Sequence, residues 1–195
     1  KQDSLIYVSG KLTLNSKAIL KNNISENGGA VNVGGELIIN GATLQNNTAN
    51  KGGAIYSYSA TSQGVGGARL SILSGNIINN KVNFNTDTSF GGGAIYVGGN
   101  TEFNISSTQG AVNIEGNYAT FGGAIYFAST SSNKSTIRGK DITITNNNKD
   151  TTNLGLTYSV SEGGGIYHTT GNLDIFECTI SNNNSNRGGA ISTKN

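Results

Sequence analysis

The chain contains no proline, no methionine, no tryptophan and a single cysteine in 195 residues. One cysteine excludes an internal disulfide framework, and Cys178, two positions before Ile180, reads as a small buried apolar residue. Charge is also scarce: 12% of residues are charged and the formal net charge is +2. So weak and scattered a basic balance gives no field for a nucleic acid, and none is expected as a partner. No apolar run reaches the ~18 residues of a membrane span, so no direct insertion by this segment is expected. Only 11 carboxylates are present, which leaves little for acid–base or metal chemistry. Glycine is the exception to this poverty, with 29 residues.

Those glycines are ordered. Six times the chain writes Gly-Gly, a small residue and an aliphatic one: Gly28-Gly29-Ala30-Val31, Gly52-Gly53-Ala54-Ile55, Gly92-Gly93-Ala94-Ile95, Gly122-Gly123-Ala124-Ile125, Gly163-Gly164-Gly165-Ile166 and Gly188-Gly189-Ala190-Ile191. Upstream of each pair stands an aliphatic residue, two spacers and an asparagine: Leu20 and Asn23, Leu44 and Asn47, Ile77 and Asn80, Ile114 and Asn117, Ile144 and Asn147, Ile180 and Asn183. A motif repeated this often means one unit stacked on itself. Successive Gly-Gly pairs lie 24, 40, 30, 41 and 25 residues apart. The short intervals give the basic coil. The long ones read as the same coil with surface insertions at Ser57–Gly67, Lys81–Gly91, Ala128–Ser135 and Asn148–Glu162.

Between the Gly-Gly motifs hydrophobicity alternates with period two, as in Lys11-Leu12-Thr13-Leu14-Asn15 and Asp141-Ile142-Thr143-Ile144-Thr145. That is strand spacing with one buried face, and no helical period competes with it. Each unit reads as three short strands: Gly-Gly-Ala-Ile-Tyr-x, x-Leu-x-Ile and x-Ile-x-x-Asn. A coil this small cannot bury its own apolar face, but coils stacked ~4.8 Å apart can. The expected fold is all-β: a right-handed parallel β-helix, or solenoid, of about six coils with inserted loops. The hand follows the crossover preference. Val31, Ile55, Ile95, Ile125, Ile166 and Ile191 should form one internal column. Asn23, Asn47, Asn80, Asn117, Asn147 and Asn183 should form an amide ladder of the kind seen where identical strands stack. Residues 1–195 read as a single β-helix segment cut from a longer protein, with flanking coils or a capping domain expected beside it.

This paired motif resembles the repeat of the chlamydial polymorphic membrane proteins, with Leu or Ile where the chlamydial motif has Phe. It is equally similar to adhesin-like β-helix repeats of gut methanogens and Gram-positive bacteria. The resemblance covers nearly all of residues 5–191. It implies an extracellular, cell-surface location and an adhesive or stalk role, with a glycan or protein receptor on another cell as partner.

Candidate chemistry is thin. Asp141 and Asp174 are the one carboxylate pair that coil alignment brings to adjacent coils, and they read as solvated strand-face residues. His168 lacks an acidic or nucleophilic neighbour in sequence and reads as structural. The Gly pairs are not followed by Gly-Lys-Ser/Thr and are not phosphate loops. No Asp follows them either, which removes the calcium β-roll. No catalytic residue, metal or cofactor is expected. Five Asn-x-Ser/Thr sequons, at Asn23, Asn46, Asn104, Asn133 and Asn183, are what so Asn- and Ser-rich a chain produces by chance. The best candidate surface is a column of Tyr56, Tyr96, Tyr126 and Tyr167. By strand alternation from the inward Ile, both the Ala and the Tyr of Gly-Gly-Ala-Ile-Tyr should point outward. Exposed Tyr gives rigid amphipathic contact area for a sugar or a protein; stacked Tyr merely stabilises the sheet. The expected function is a non-enzymatic surface adhesin or stalk segment. The alternatives are a carbohydrate-active β-helix fragment, a polysaccharide lyase or hydrolase, and a plain structural spacer.

Overall fold

The computed structural model describes residues 3–59, 67–83, 91–129, 134–148 and 162–194. Every strand pairing among them is parallel. The chain is a parallel β-helix. Its first sheet stacks seven strands in sequence order: β1 (Ile6–Val8), β5 (Val31–Val33), β8 (Ile55–Ser59), β11 (Ile95–Gly99), β14 (Ile125–Ser129), β17 (Ile166–His168) and β20 (Ile191–Thr193). Six carry the Gly-Gly motif. β1 does not, yet Ile6 pairs with Val31 and adds a seventh member to the expected column.

The second sheet has ten strands. One row holds β2 (Lys11–Asn15), β12 (Glu102–Ser106), β15 (Lys134–Arg138) and β18 (Asn172–Phe176). The next holds β3 (Ile19–Lys21), β13 (Val112–Glu115), β16 (Ile142–Thr145) and β19 (Thr179–Ser181). In two coils the rows fuse into single long strands, β6 (Glu36–Gln45) and β9 (Arg69–Ile78). Each is bent at a glycine of positive φ, Gly41 at 93° and Gly75 at 124°. The second and third strands expected from sequence are therefore two halves of one bent sheet. A third small sheet, of β4 (Ile24–Asn27), β7 (Thr48–Lys51) and β10 (Lys81–Val82), occupies the spacer between the ladder Asn and the Gly pair. Its strands are too short for alternation to declare them.

The insertion boundaries need correction at their edges. Ser57–Ser59 belongs to β8, Lys81–Val82 to β10, Ala128–Ser129 to β14 and Lys134–Ser135 to β15. The middles of those four segments lie outside the described residues.

Inside, columns of like residues fill the core. Val31, Ile55, Ile95, Ile125 and Ile166 are wholly buried, with Ile191 packed against the same cluster. Phe103 and Phe127 meet edge to face at 5.1 Å. One expectation fails here. Ala30, Ala54, Ala94 and Ala124 do not face outward; all are fully buried in the core. The backbone is still turning at this position. Both Ala54 N–H and Ile55 N–H donate to the single Ala94 carbonyl, and the same double bond recurs in the neighbouring coils. Strand alternation begins only at the Ile.

The Gly pair has a two-part cause. Gly52 takes φ +60°, and a Cβ there would strike the carbonyl of Ile55 in its own coil. Gly53 has no φ requirement, but a Cβ would meet the Gly93 carbonyl of the next coil. The first glycine makes the corner and the second lets coils approach.

Candidate functional site

The asparagine ladder is complete from Asn23 to Asn183. Each Oδ1 beyond Asn23 accepts two hydrogen bonds from the Asn of the preceding coil. Asn80 N–H and Nδ2 donate to Asn117 Oδ1 at 2.9 and 3.0 Å, and Asn117 N–H and Nδ2 donate to Asn147 Oδ1 at 2.9 and 3.1 Å. The second Nδ2 hydrogen reaches back. Asn117 Nδ2 donates to the Ile77 carbonyl at 2.9 Å, as Asn47 does to Leu20, Asn80 to Leu44, Asn147 to Ile114 and Asn183 to Ile144. Asn23 and Asn183 close the row through Asn47 and Asn147. Four of the six, Asn47, Asn80, Asn117 and Asn147, are fully buried. Every donor and acceptor of these four amides is thus engaged, which burial demands.

The residue just before each ladder Asn carried a signal that period-two reading passes over. Asn22, Asn46, Asn79, Gly116, Asn146 and Asn182 all have positive φ, between 54° and 64°. Asn and Gly are the residues that enter this region at least cost. The doubled Asn-Asn in five coils was the visible sign.

Tyr56, Tyr96, Tyr126 and Tyr167 stand in register on the outer face of the first sheet. Their rings stack on one another at centroid distances of 5.1, 5.1 and 5.4 Å. Phe121 leans against Tyr167 at 5.1 Å, and Lys51 Nζ lies 5.8 Å from the Tyr96 ring centre. Both faces of Tyr96 and Tyr126 are therefore occupied by neighbouring rings, and the column offers its rim to solvent. Tyr167 is almost wholly buried, whereas Tyr56, Tyr96 and Tyr126 are half-buried. Burial pushes all four phenols above their usual range; for Tyr167 the nearby Glu162 carboxylate adds to the rise. They stay protonated at any physiological pH. At the end of the column Glu162 pairs with Arg187 at 3.5 Å and accepts from Ser192 Oγ at 3.3 Å.

The remaining candidates disperse. Asp174 lies opposite Thr136 on β15, while Asp141 precedes β16 in the other row of the second sheet, so coil stacking does not align them. His168 is buried in register with Phe127 and Thr193, its ring edge-on to Phe127 at 5.7 Å, and desolvation lowers its pKa. Cys178 is half-buried rather than fully buried. Its coil is covered from one side only in the structure, and Leu173, Ile175 and Ile180 are likewise partly exposed. Burial raises its thiol. Asn133 lies outside the described residues.

A groove runs along the stack beside the left-handed Asn column. It is lined by that column from Asn22 to Asn146, by Ile78 and Glu115 just before it, and by Ile24, Thr48, Lys81, Tyr118 and Asn148 just after it.

The Chlamydia polymorphic membrane protein repeat matches this chain at residues 41–58 and 177–194. Each match spans one ladder Asn and the Gly-Gly corner after it. Neither a curated protein nor a solved structure matches the chain.

Proposed function

We propose that the chain is a non-enzymatic, adhesive or stalk-forming segment of an extracellular cell-surface protein. The observation that carries this reading is the two matched polymorphic membrane protein repeats, each set on one coil of a stack whose buried asparagine amides are spent on holding coils together. The chemistry of the described side chains points the same way. The one His is buried against Phe127, and the two candidate carboxylates stand in different rows. The receptor, a glycan or a protein on another cell, would meet the rim of the Tyr56–Tyr96–Tyr126 column, where phenol hydroxyls recur once per coil.

Attachment of the purified chain to cells tests this, with wild type compared with the Tyr56→Phe, Tyr96→Phe, Tyr126→Phe triple variant. The variant keeps the stacked rings and removes the hydroxyls. Attachment lost in the variant supports the assignment of the column. Attachment unaffected by it moves the contact elsewhere, and no attachment by the wild type leaves a spacer. A screen for unsaturated or reducing sugars released from polysaccharides covers the carbohydrate-active alternative, and turnover there would overturn the reading.

A further inference from the structure

We infer that the groove beside the left-handed Asn column is a binding site for a neutral, linear polysaccharide. This goes beyond the adhesive reading, since the groove lies away from the Tyr column and would bind glycan whether or not that column grips a cell.

Its shape comes from stacking. Residues of five successive coils line it, so it runs straight for four intervals of ~4.8 Å, about 19 Å. An extended polymer fits such a track and a compact ligand does not. Its chemistry repeats with the coil. Asn22, Asn46 and Asn79 are solvent-exposed, and their backbone N–H groups hold the stack by donating to Gln45, Ile78 and Glu115 carbonyls at 3.3, 3.2 and 2.9 Å. Their side-chain amides remain to face the groove. An amide both donates and accepts, which suits hydroxyls that do the same. Ile24, exposed, and Ile78, half-buried, give apolar surface between the amides for the C–H face of a pyranose ring.

Charge selects within that class. Among the described residues, the ionisable groups lining the groove are Lys81, Glu115 and the phenol of Tyr118, which burial keeps protonated. Lys81 and Glu115 cancel, and Glu115 also accepts from Asn146 Nδ2 at 2.9 Å. A polyanion would find no net positive wall. An extended peptide would need a free strand edge to pair with. Along the groove β4, β7 and β10 pair coil to coil, and the edge that β4 leaves unpaired among the described residues lies at the end of the stack, across the track rather than along it.

The test is calorimetric titration of the whole chain with neutral β-1,4-linked gluco- and xylo-oligosaccharides of two to six sugars. Oligogalacturonates of the same lengths are run in parallel. The key variant is Asn46→Gly, Asn79→Gly. It removes two amides at positions where glycine is structurally acceptable, because Gly116 fills the same place with the same φ, +64°. Arg69→Gln, on the outer row of the second sheet and away from both the groove and the Tyr column, is the control. The site predicts affinity that grows with chain length, falls about tenfold in the double glycine variant for the loss of two hydrogen-bonding groups, and is unchanged in Arg69→Gln. Absence of binding by every neutral oligosaccharide overturns it. So does equal or better binding of the acidic ones, or affinity unmoved by the glycine variant. Cell attachment measured on the same proteins separates the two readings: attachment retained without glycan binding removes the groove site alone.

Discussion

Asn117 shows how one side chain can specify a stack. It makes two hydrogen bonds forward, accepts two from behind and ties down a carbonyl of the previous coil. Aspartate could accept but not donate, and alanine could do neither. Asn117→Ala leaves Asn80 N–H, the Asn80 amide and the Ile77 carbonyl without this partner in a buried place. A loss on the order of 1–3 kcal/mol in denaturant unfolding is expected. Asn23→Ala should cost less, because Asn23 is half-exposed and has no preceding Asn bonded to it. Ser25 is the opposite case. Its hydroxyl is buried with no partner among the described residues, in register with Ala49. Ser25→Ala should therefore raise stability, by about 1 kcal/mol, in the same unfolding measurement. Equal or lower stability would mean that the hydroxyl has a partner in solution.

At the scale of strands, parallel stacking places like beside like, which suits Ile and Asn but not charge. The outer row of the second sheet answers this by alternation: Lys11, Glu36, Arg69 and Glu102 follow one another in register. Lys11 meets Glu36 at 3.1 Å and Arg69 meets Glu102 at 3.3 Å. Glu102→Lys sets like charges side by side and should cost up to about 1 kcal/mol, fading with salt, since the pair is exposed. The stacked phenols give a pH dependence of definite sign. Their folded pKa values lie above the ordinary 10.0. The unfolded chain therefore ionises these phenols first as pH rises, so their contribution to stability is level below pH 10.0 and falls above it. Tyr96→Phe should lessen that alkaline fall, followed by thermal unfolding across the range. The sequence announced these strands where their residues repeat in kind. The Ile column, the Asn ladder and the Tyr column were all legible, because each needs one residue type at one place. β4, β7 and β10 were not, being two to four residues long, below the length at which alternation speaks. The buried Ala column was misread because a corner interrupts the period from which its direction was taken. The groove was invisible because it forms at the left-handed turns, where strand alternation stops.

For the molecule as a whole, each coil touches only its neighbours, so stability is a sum of coil terms and interface terms rather than the property of one core. Burial follows that rule along the chain. Ile95, Ile105, Ile114 and Ile125 in the middle are fully covered, while inward residues of the first coil, Ile6 and Leu12, are only partly buried. Leu173, Ile175, Ile180 and Ile191 in the last are covered on one side. Opening should therefore begin in the outer coils and move inward. In native-state hydrogen exchange, amides of β1, β2 and β3 and of β18, β19 and β20 should exchange fastest. Those of β11, β12 and β13 should be slowest, with protection graded between them. Asn117→Ala should then lower protection most in the central coils and convert a two-ended gradient into one with a weak middle. Uniform protection from β1 to β20, or loss of protection everywhere at once on Asn117→Ala, would show that the coils unfold as one cooperative body and that the nearest-neighbour description fails.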